Sequence, residues 1–195
     1  MNIKSLIDKH SVQIFSGVPG SGKTTLAAAI VKYDNKHDFP VFSNVRIKGA
    51  YFFSCSDDLG KFEISGCDLI IDEASIEYNS RLYKSEKNLS VIYIMKMFRH
   101  FHIRNIFLFS QSLEDVDVTM RRLTSYSYII RKFGPISYMR PILVKEGIDE
   151  QTHQVTTIYS YKPGFPMILC RWKYYSMFDS WSRIVLPSKD FELVT

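Results

Sequence analysis

The sequence predicts an α/β fold: a mostly parallel central sheet flanked by helices, with a small antiparallel extension at the C-terminal end. Three observations predict it. Short apolar runs alternate with helical stretches over the first two thirds of the chain, the pattern of a parallel sheet with helical crossovers. Two of those runs, Asp68-Leu69-Ile70-Ile71-Asp72 and Asn105-Ile106-Phe107-Leu108-Phe109-Ser110, are continuous rather than alternating, as strands buried on both faces require. Between the first strand and the first helix lies Gly17-Val18-Pro19-Gly20-Ser21-Gly22-Lys23-Thr24-Thr25. This is a complete G-x-x-x-x-G-K-[ST] phosphate-binding loop in the strand–loop–helix setting that the motif needs.

In chain order, Val12–Phe15 is the first strand and Thr24 to about Tyr33 the first helix. Pro40–Ile47 reads as a second strand, interrupted by Asn44, and Asp57–Phe62 as a short helical turn. Asp68–Asp72 is the third strand, followed by a long polar loop over Ile76–Asn88. Leu89, Ile92, Tyr93 and Met97 recur at helical intervals and predict a helix over Leu89–His102. Asn105–Ser110 is the fourth strand, Leu113–Leu123 is partly helical, and Tyr126–Arg131 is the fifth strand. Past Gly134-Pro135 the texture changes: Met139–Val144, Gln154–Tyr161 and Met167–Tyr175 read as short strands separated by turns such as Lys162-Pro163-Gly164. Residues 1–133 thus form an ATPase-type core, and residues 134–195 a β-rich extension packed on the same domain.

Composition bounds the class. A chain of 195 residues, 46% hydrophobic and 23% charged, is long enough for one α/β domain with a full core. No window approaches the roughly 18 apolar residues of a membrane span, and Met1–Asp8 has no signal-peptide core, so a soluble intracellular protein is expected. Cys55, Cys67 and Cys170 are odd in number and lack C-x-x-C spacing, against a disulfide framework or a zinc site. A net charge of +5 is compatible with nucleic acid or an acidic membrane surface and proves neither.

The phosphate loop carries the chemistry. Gly17, Gly20 and Gly22 let the main chain bend closely round a ligand, and with Pro19 and Ser21 they form a cradle whose N–H groups face the phosphates of ATP. The helix opening at Lys23-Thr24-Thr25 adds its positive end. Lys23 would reach the β- and γ-phosphates, and the Thr24 hydroxyl would bind Mg²⁺. The run Asp68–Glu73 has the Walker B pattern: Asp72 would hold the Mg²⁺ shell, and Glu73 would polarise the attacking water. If one strand is inserted between the two motif strands, Gln111 lies beside the Walker B strand and could touch the γ-phosphate or position the water. Arg99, with Arg121 and Arg122 close behind, is a candidate for transition-state charge, supplied from a neighbouring subunit in an assembled enzyme.

The motif order resembles the Zot (zonula occludens toxin) family, which includes the assembly ATPases of filamentous phages. The matching residues are G-V-P-G-S-G-K-T-T at Gly17–Thr25, P-V-F-S-N-V at Pro40–Val45, D-L-I-I-D-E-A at Asp68–Ala74 and F-R-H-F at Phe98–Phe101. N-I-F-L-F-S-Q-S at Asn105–Ser112, R-R-L at Arg121–Leu123 and the aromatic stretch Trp172–Trp181 follow. The resemblance implies a RecA-like fold related to the FtsK and HerA motors, ATP hydrolysis with Mg²⁺ by a hexameric ring, and movement of DNA in virus assembly. It implies Lys23, Thr24, Asp72, Glu73 and Gln111 as site residues. It implies DNA and other virion or envelope proteins as partners, and a place in the host cytoplasm, at the membrane periphery or on the virion. The chain stops at Thr195 without the family's usual transmembrane helix, so a stand-alone motor for extrusion or for genome packaging is expected. Tyr78–Lys87, with Arg81, Lys84 and Lys87, is the expected DNA-facing loop. A small P-loop kinase and a nucleotide-switched adaptor are the alternatives. The first lacks an arginine-rich lid here, and both give Glu73 no work.

Overall fold

The described residues, 3–53, 65–74, 86–114, 116–148 and 155–179 of a computed structural model, place nine strands in one sheet; residues 86–90, 145–148 and 155–157 are described by their backbone alone. The strands are β1 (Val12–Ser16), β2 (Val41–Ser43), β3 (Tyr51–Phe52), β4 (Asp68–Ile71), β5 (Asn105–Ser110), β6 (Tyr126–Phe133), β7 (Ile136–Ile148), β8 (Val155–Tyr161) and β9 (Met167–Cys170). The helices are α1 (Lys4–Ile7), α2 (Lys23–Asn35), α3 (Glu86–Met97) and α4 (Val118–Leu123), with a 3₁₀ helix over Arg171–Met177. The order across the sheet is β3-β2-β4-β5-β1-β6-β7-β8, with β9 also against β7. Every pairing from β3 to β6 is parallel, and β7 pairs antiparallel with β6, β8 and β9. The expected fold class is therefore observed, with β5 inserted between the strand that leads into the phosphate loop and the strand that carries Asp72.

Two apolar cores sandwich the sheet. One joins α2 and α1 to the side chains of Phe15, Ile70, Phe107, Phe109, Tyr128 and Ile130. The other joins Val91, Ile94, Met95 and Met120 to Val12, Ile14, Leu69, Ile71, Ile106 and Leu108. All residues of β1, β4 and β5 are buried, which is why those runs read as continuous rather than alternating. Phe15 stacks on Tyr128 at 4.8 Å and on Phe109 at 5.3 Å, fixing β1 between its neighbours. Ala27-Ala28-Ala29, all buried, let α2 press close to the sheet.

Several boundaries differ from the sequence reading. The second strand ends at Ser43, not Ile47: the Asn44 backbone amide makes a last bond to β4, at 3.3 Å to the Ile70 carbonyl, and the Asn44 side-chain amide turns to the backbone of Asp72. The helix expected to run to His102 ends at Met97, where turns close over residues 98–102 and His102 takes a left-handed φ of 54°. Met167–Tyr175 is not one strand: β9 stops at Cys170 and the chain winds into the 3₁₀ helix. Within that helix only Arg171, Tyr174 and Met177 are half-buried and the residues between them are exposed, a period of three that suits three residues per turn. The helical turn expected over 57–62 lies outside the described residues.

Candidate functional site

The phosphate loop sits at the carboxyl end of β1, the end at which parallel sheets bind ligands. Its start is tied to the neighbouring strand by the Gly17 amide, which donates to the Ser110 carbonyl at 3.1 Å. Glycine is required at two points for different reasons. A Cβ on Gly17 would lie 2.5 Å from the Ile130 carbonyl oxygen, so the approach of loop to strand leaves no room for one. Gly22 has a φ of 105°, and its missing Cβ would collide with the Ser137 hydroxyl. Ser137 in turn donates to the Ser21 carbonyl, so β7 of the extension braces the cradle from behind. Pro19 and Gly20 form the loop's exposed tip, and Ser21, Lys23 and Thr25 are buried beneath it.

Lys23 opens α2 and is only 6% exposed. Its ammonium donates to the Gly17 carbonyl at 2.7 Å and lies 3.5 Å from that of Val18, so the loop's own oxygens hold the cation at the cradle. The Thr24 hydroxyl donates to Asp72 Oδ2 at 3.0 Å, joining the two motifs across 48 residues of sequence. Burial raises the pKa of Asp72 most, and the neighbouring Glu73 charge raises it further. The Glu73 amide, the Thr24 hydroxyl and Lys23 oppose the rise. A threonine hydroxyl beside a desolvated carboxylate is a hard-oxygen donor pair of the kind Mg²⁺ prefers, so these residues fit that ion.

Glu73 adopts a left-handed φ of 51°, uncommon for a residue with a Cβ and typical of functional sites. The turn aims its carboxylate back over the sheet edge, where Gln111 Nε2 donates to Oε2 at 3.2 Å. The inserted strand β5 places Gln111 beside the Walker B strand, as the topology argument anticipated, and the structure adds the side-chain contact with Glu73.

Two contacts at the site carried no local signal in the sequence. Asn44 clips the backbone of Asp72 from both sides: its Nδ2 donates to the Asp72 carbonyl at 2.9 Å, and its Oδ1 accepts from the Asp72 amide at 2.7 Å. Arg171, at the start of the 3₁₀ helix, packs its side chain against the position a Gly22 Cβ would take, at 3.8 Å.

The other arginines are elsewhere. Arg99 is exposed in the turn after α3, whose chain leads into the start of β5, so it lies at the amino ends of the strands, away from Asp72, Glu73 and Gln111 of its own chain. Arg121 and Arg122 close α4 just ahead of β6 and line a cavity of about 390 Å³ with Thr124 and Ser125, again toward the amino ends of the strands. The expected DNA-facing loop, 78–87 with Arg81, Lys84 and Lys87, lies outside the residues whose side chains are described.

No protein-family model and no curated protein matches the chain. Among solved structures, it superimposes on the N-terminal domain of zonular occludens toxin from Neisseria meningitidis with a TM-score of 0.57 and 18% identity, over 87% of this chain and 98% of that one. The two share one fold. It is a mixed α/β architecture with a mostly parallel central sheet, and it agrees with the Zot-like order of motifs. The genome packaging NTPase B204 of Sulfolobus turreted icosahedral virus 2 is similar at a TM-score of 0.49 and 11% identity, over 78% of this chain and 97% of that one. The ATPase domain of G40P is similar at 0.48 and 10%, over 77% and 80%. No helix among the described residues is long and apolar enough to cross a membrane.

Proposed function

We propose that the chain is a Mg²⁺-dependent P-loop ATPase that drives DNA movement in virus assembly, working as a ring of copies. The observation that carries the catalytic part is the double acid at the end of β4. Asp72 is joined to Thr24 of the phosphate loop, and Glu73 is turned away from it and joined to Gln111. One carboxylate is placed to help hold a cation, the other to take a proton.

In this reading the cradle from Gly17 to Thr25 holds the triphosphate by its N–H groups, and Lys23 exchanges the Gly17 carbonyl for phosphoryl oxygens. Thr24 and Asp72 would hold Mg²⁺, which supplies positive charge to the phosphates when bound. Glu73 accepts the proton of a water that attacks the γ-phosphorus, while the bond to the bridging oxygen breaks and ADP leaves. Gln111 fixes the direction of the Glu73 carboxylate. Arg171 adds a cation beside Gly22, and an arginine from the opposite pole of a neighbouring copy, Arg99 first, would complete the charge at the γ-phosphate. The similarity to a viral genome packaging NTPase and to a Zot domain supports the assembly role, and the net charge of +5 suits a polyanionic cargo. In this reading the described residues after 134 extend the ATPase core within one domain, and Ser137 and Arg171 bring that extension to the site.

Calorimetry with Mg-ATP together with steady-state phosphate release tests the proposal. Glu73→Gln should keep nucleotide affinity and lower turnover by a factor of about 10² to 10⁴. An unchanged rate would favour the adaptor alternative. Phosphoryl transfer to a nucleoside monophosphate, with little release to water, would favour the kinase.

A further inference from the structure

We propose that the solvent face of the β6–β7–β8 extension binds a single strand of nucleic acid, on a platform built from Arg131, Tyr138, Arg140 and Tyr161. The inference rests on the reading of the chain as a DNA motor and names where the polymer lies.

The sheet register assembles the platform. Arg131 pairs with Tyr138, Ile129 with Arg140, and Ile142 with Tyr161, so these side chains share one face. Ile142 is buried against the core at one end of this face. Toward the β6–β7 turn the covering ends: Arg131 is exposed and Ile168, opposite Tyr138, is 46% exposed, while Tyr161, across from Ile142 on the outer strand, is 42% exposed. The Arg140 guanidinium stands 4.8 Å from the Tyr161 ring centroid and that of Arg131 6.0 Å. The two arginines and two tyrosines, with Ile129, enclose a notch of about 100 Å³.

Charge selects the occupant. Residues 126–144 and 158–178 hold Arg131, Lys132, Arg140, Lys162, Arg171 and Lys173 and not one Asp or Glu. Neither Arg131 nor Arg140 makes an ion pair among the described residues. Cations held beside aromatic rings, with no carboxylate paired to them among the described residues, suit a ligand that brings regularly spaced negative charge together with flat apolar faces. A single-stranded nucleic acid does both: phosphates pair with the guanidiniums, and unpaired bases stack on ring and guanidinium planes. A duplex hides its base faces, so the tyrosines would add nothing to its binding. A further cavity of about 550 Å³ shares Ile129 and Arg131 with the notch and continues to Gly17, Val18 and Gln111. The platform is therefore continuous with the start of the phosphate loop and with Gln111.

The test uses the full chain without nucleotide, a fluorescent oligothymidylate and a duplex of equal length, with anisotropy read over a salt series; Mg-ATP binding to each variant serves as the folding control. The single strand should bind more tightly than the duplex. Tyr161→Leu should weaken the single strand by about 5- to 100-fold and leave the duplex unchanged. Arg140→Gln should reduce the slope of log K against log salt by about 0.7, and Arg140→Lys should restore it. Arg131→Gln makes the same slope test at the more distant of the two guanidiniums, 6.0 Å from the Tyr161 ring. Wild-type oligonucleotide binding in variants that still bind Mg-ATP overturns the platform. So does equal loss of duplex and single strand, or binding to phosphatidylserine vesicles that depends on the same residues while oligonucleotide does not compete. Failure of the ATPase reading looks different: Mg-ATP binding is absent while the oligonucleotide effects persist.

Discussion

Strand β4 begins at Asp68 and ends one residue before Asp72, so four residues place a buried carboxylate at each edge of the sheet. Both face α2. Thr24 at the head of that helix meets Asp72, and Asp34 near its tail meets Asp68. The distances match: ten residues of helix span about 15 Å and four of strand about 13 Å. Burial raises the pKa of both strand acids. What separates them is their partners. At the amino end, Asp68 shares a closed cluster with Asp34, Arg104 at 3.9 Å and Asn105 Nδ2 at 3.2 Å, and Arg104 also stacks on Phe39 at 3.5 Å. Asp34 keeps its proton to about pH 8, because burial and the Asp68 charge outweigh Arg104. At the carboxyl end, the donors to the Asp72 carboxylate among the described residues are a hydroxyl and an amide, beside a loop shaped to admit a ligand. The same residue type on the same strand is a fastener where it is enclosed by its counter-charges and a candidate ligand where they are left for something else to supply.

Mutation can break this contrast. Arg104→Met should have the largest effect on stability, about 3–5 kcal/mol in urea unfolding, because it strands two buried acids without their cation. Mg-ATP affinity should hold. If affinity fell and stability did not, the two ends would not be separable. The next test is pH. Asp34 titrates near 3.8 unfolded and near 8 folded, so the folded state binds the extra proton between those values. Its contribution is complete below pH 3.8 and is lost as pH rises through 8, with a slope of at most about 1.4 kcal/mol per pH unit. Asp34→Asn should flatten that slope, measured as unfolding midpoint against pH. The smallest effect is expected for Asn44→Ala, which leaves the Asp72 amide and carbonyl unpaired and should cost about 1–3 kcal/mol. Unlike Arg104→Met, it should also lower ATP turnover, because it loosens Asp72 itself.

How much was legible in the sequence follows from how far apart the interacting residues lie. The cradle is nine consecutive residues, and its strand and helix declare themselves by local pattern. Asp72 and Glu73 end a continuous apolar run, and Gln111 could be placed from the rule that one strand intervenes. Asn44 reads as a break in a strand and as part of the P-V-F-S-N-V run, and neither reveals a partner 28 residues away. Ser137 reaches the loop across 116 residues, and no periodicity announces such a contact. Arg171 lies in a tyrosine- and tryptophan-rich segment whose strand-like composition hid a three-residue turn. Arg99 was judged by residue type alone; the direction of the strand it precedes sends it to the opposite pole.

The sheet runs without interruption from β4 through β5, β1 and β6 into β7 and β8. A plate hydrogen-bonded along its whole width has no hinge between the phosphate loop and the proposed track for the polymer. In the proposed ring, any stroke would then have to open and close seams between neighbouring copies, each copy turning as one stiff piece and carrying its grip on the strand with it.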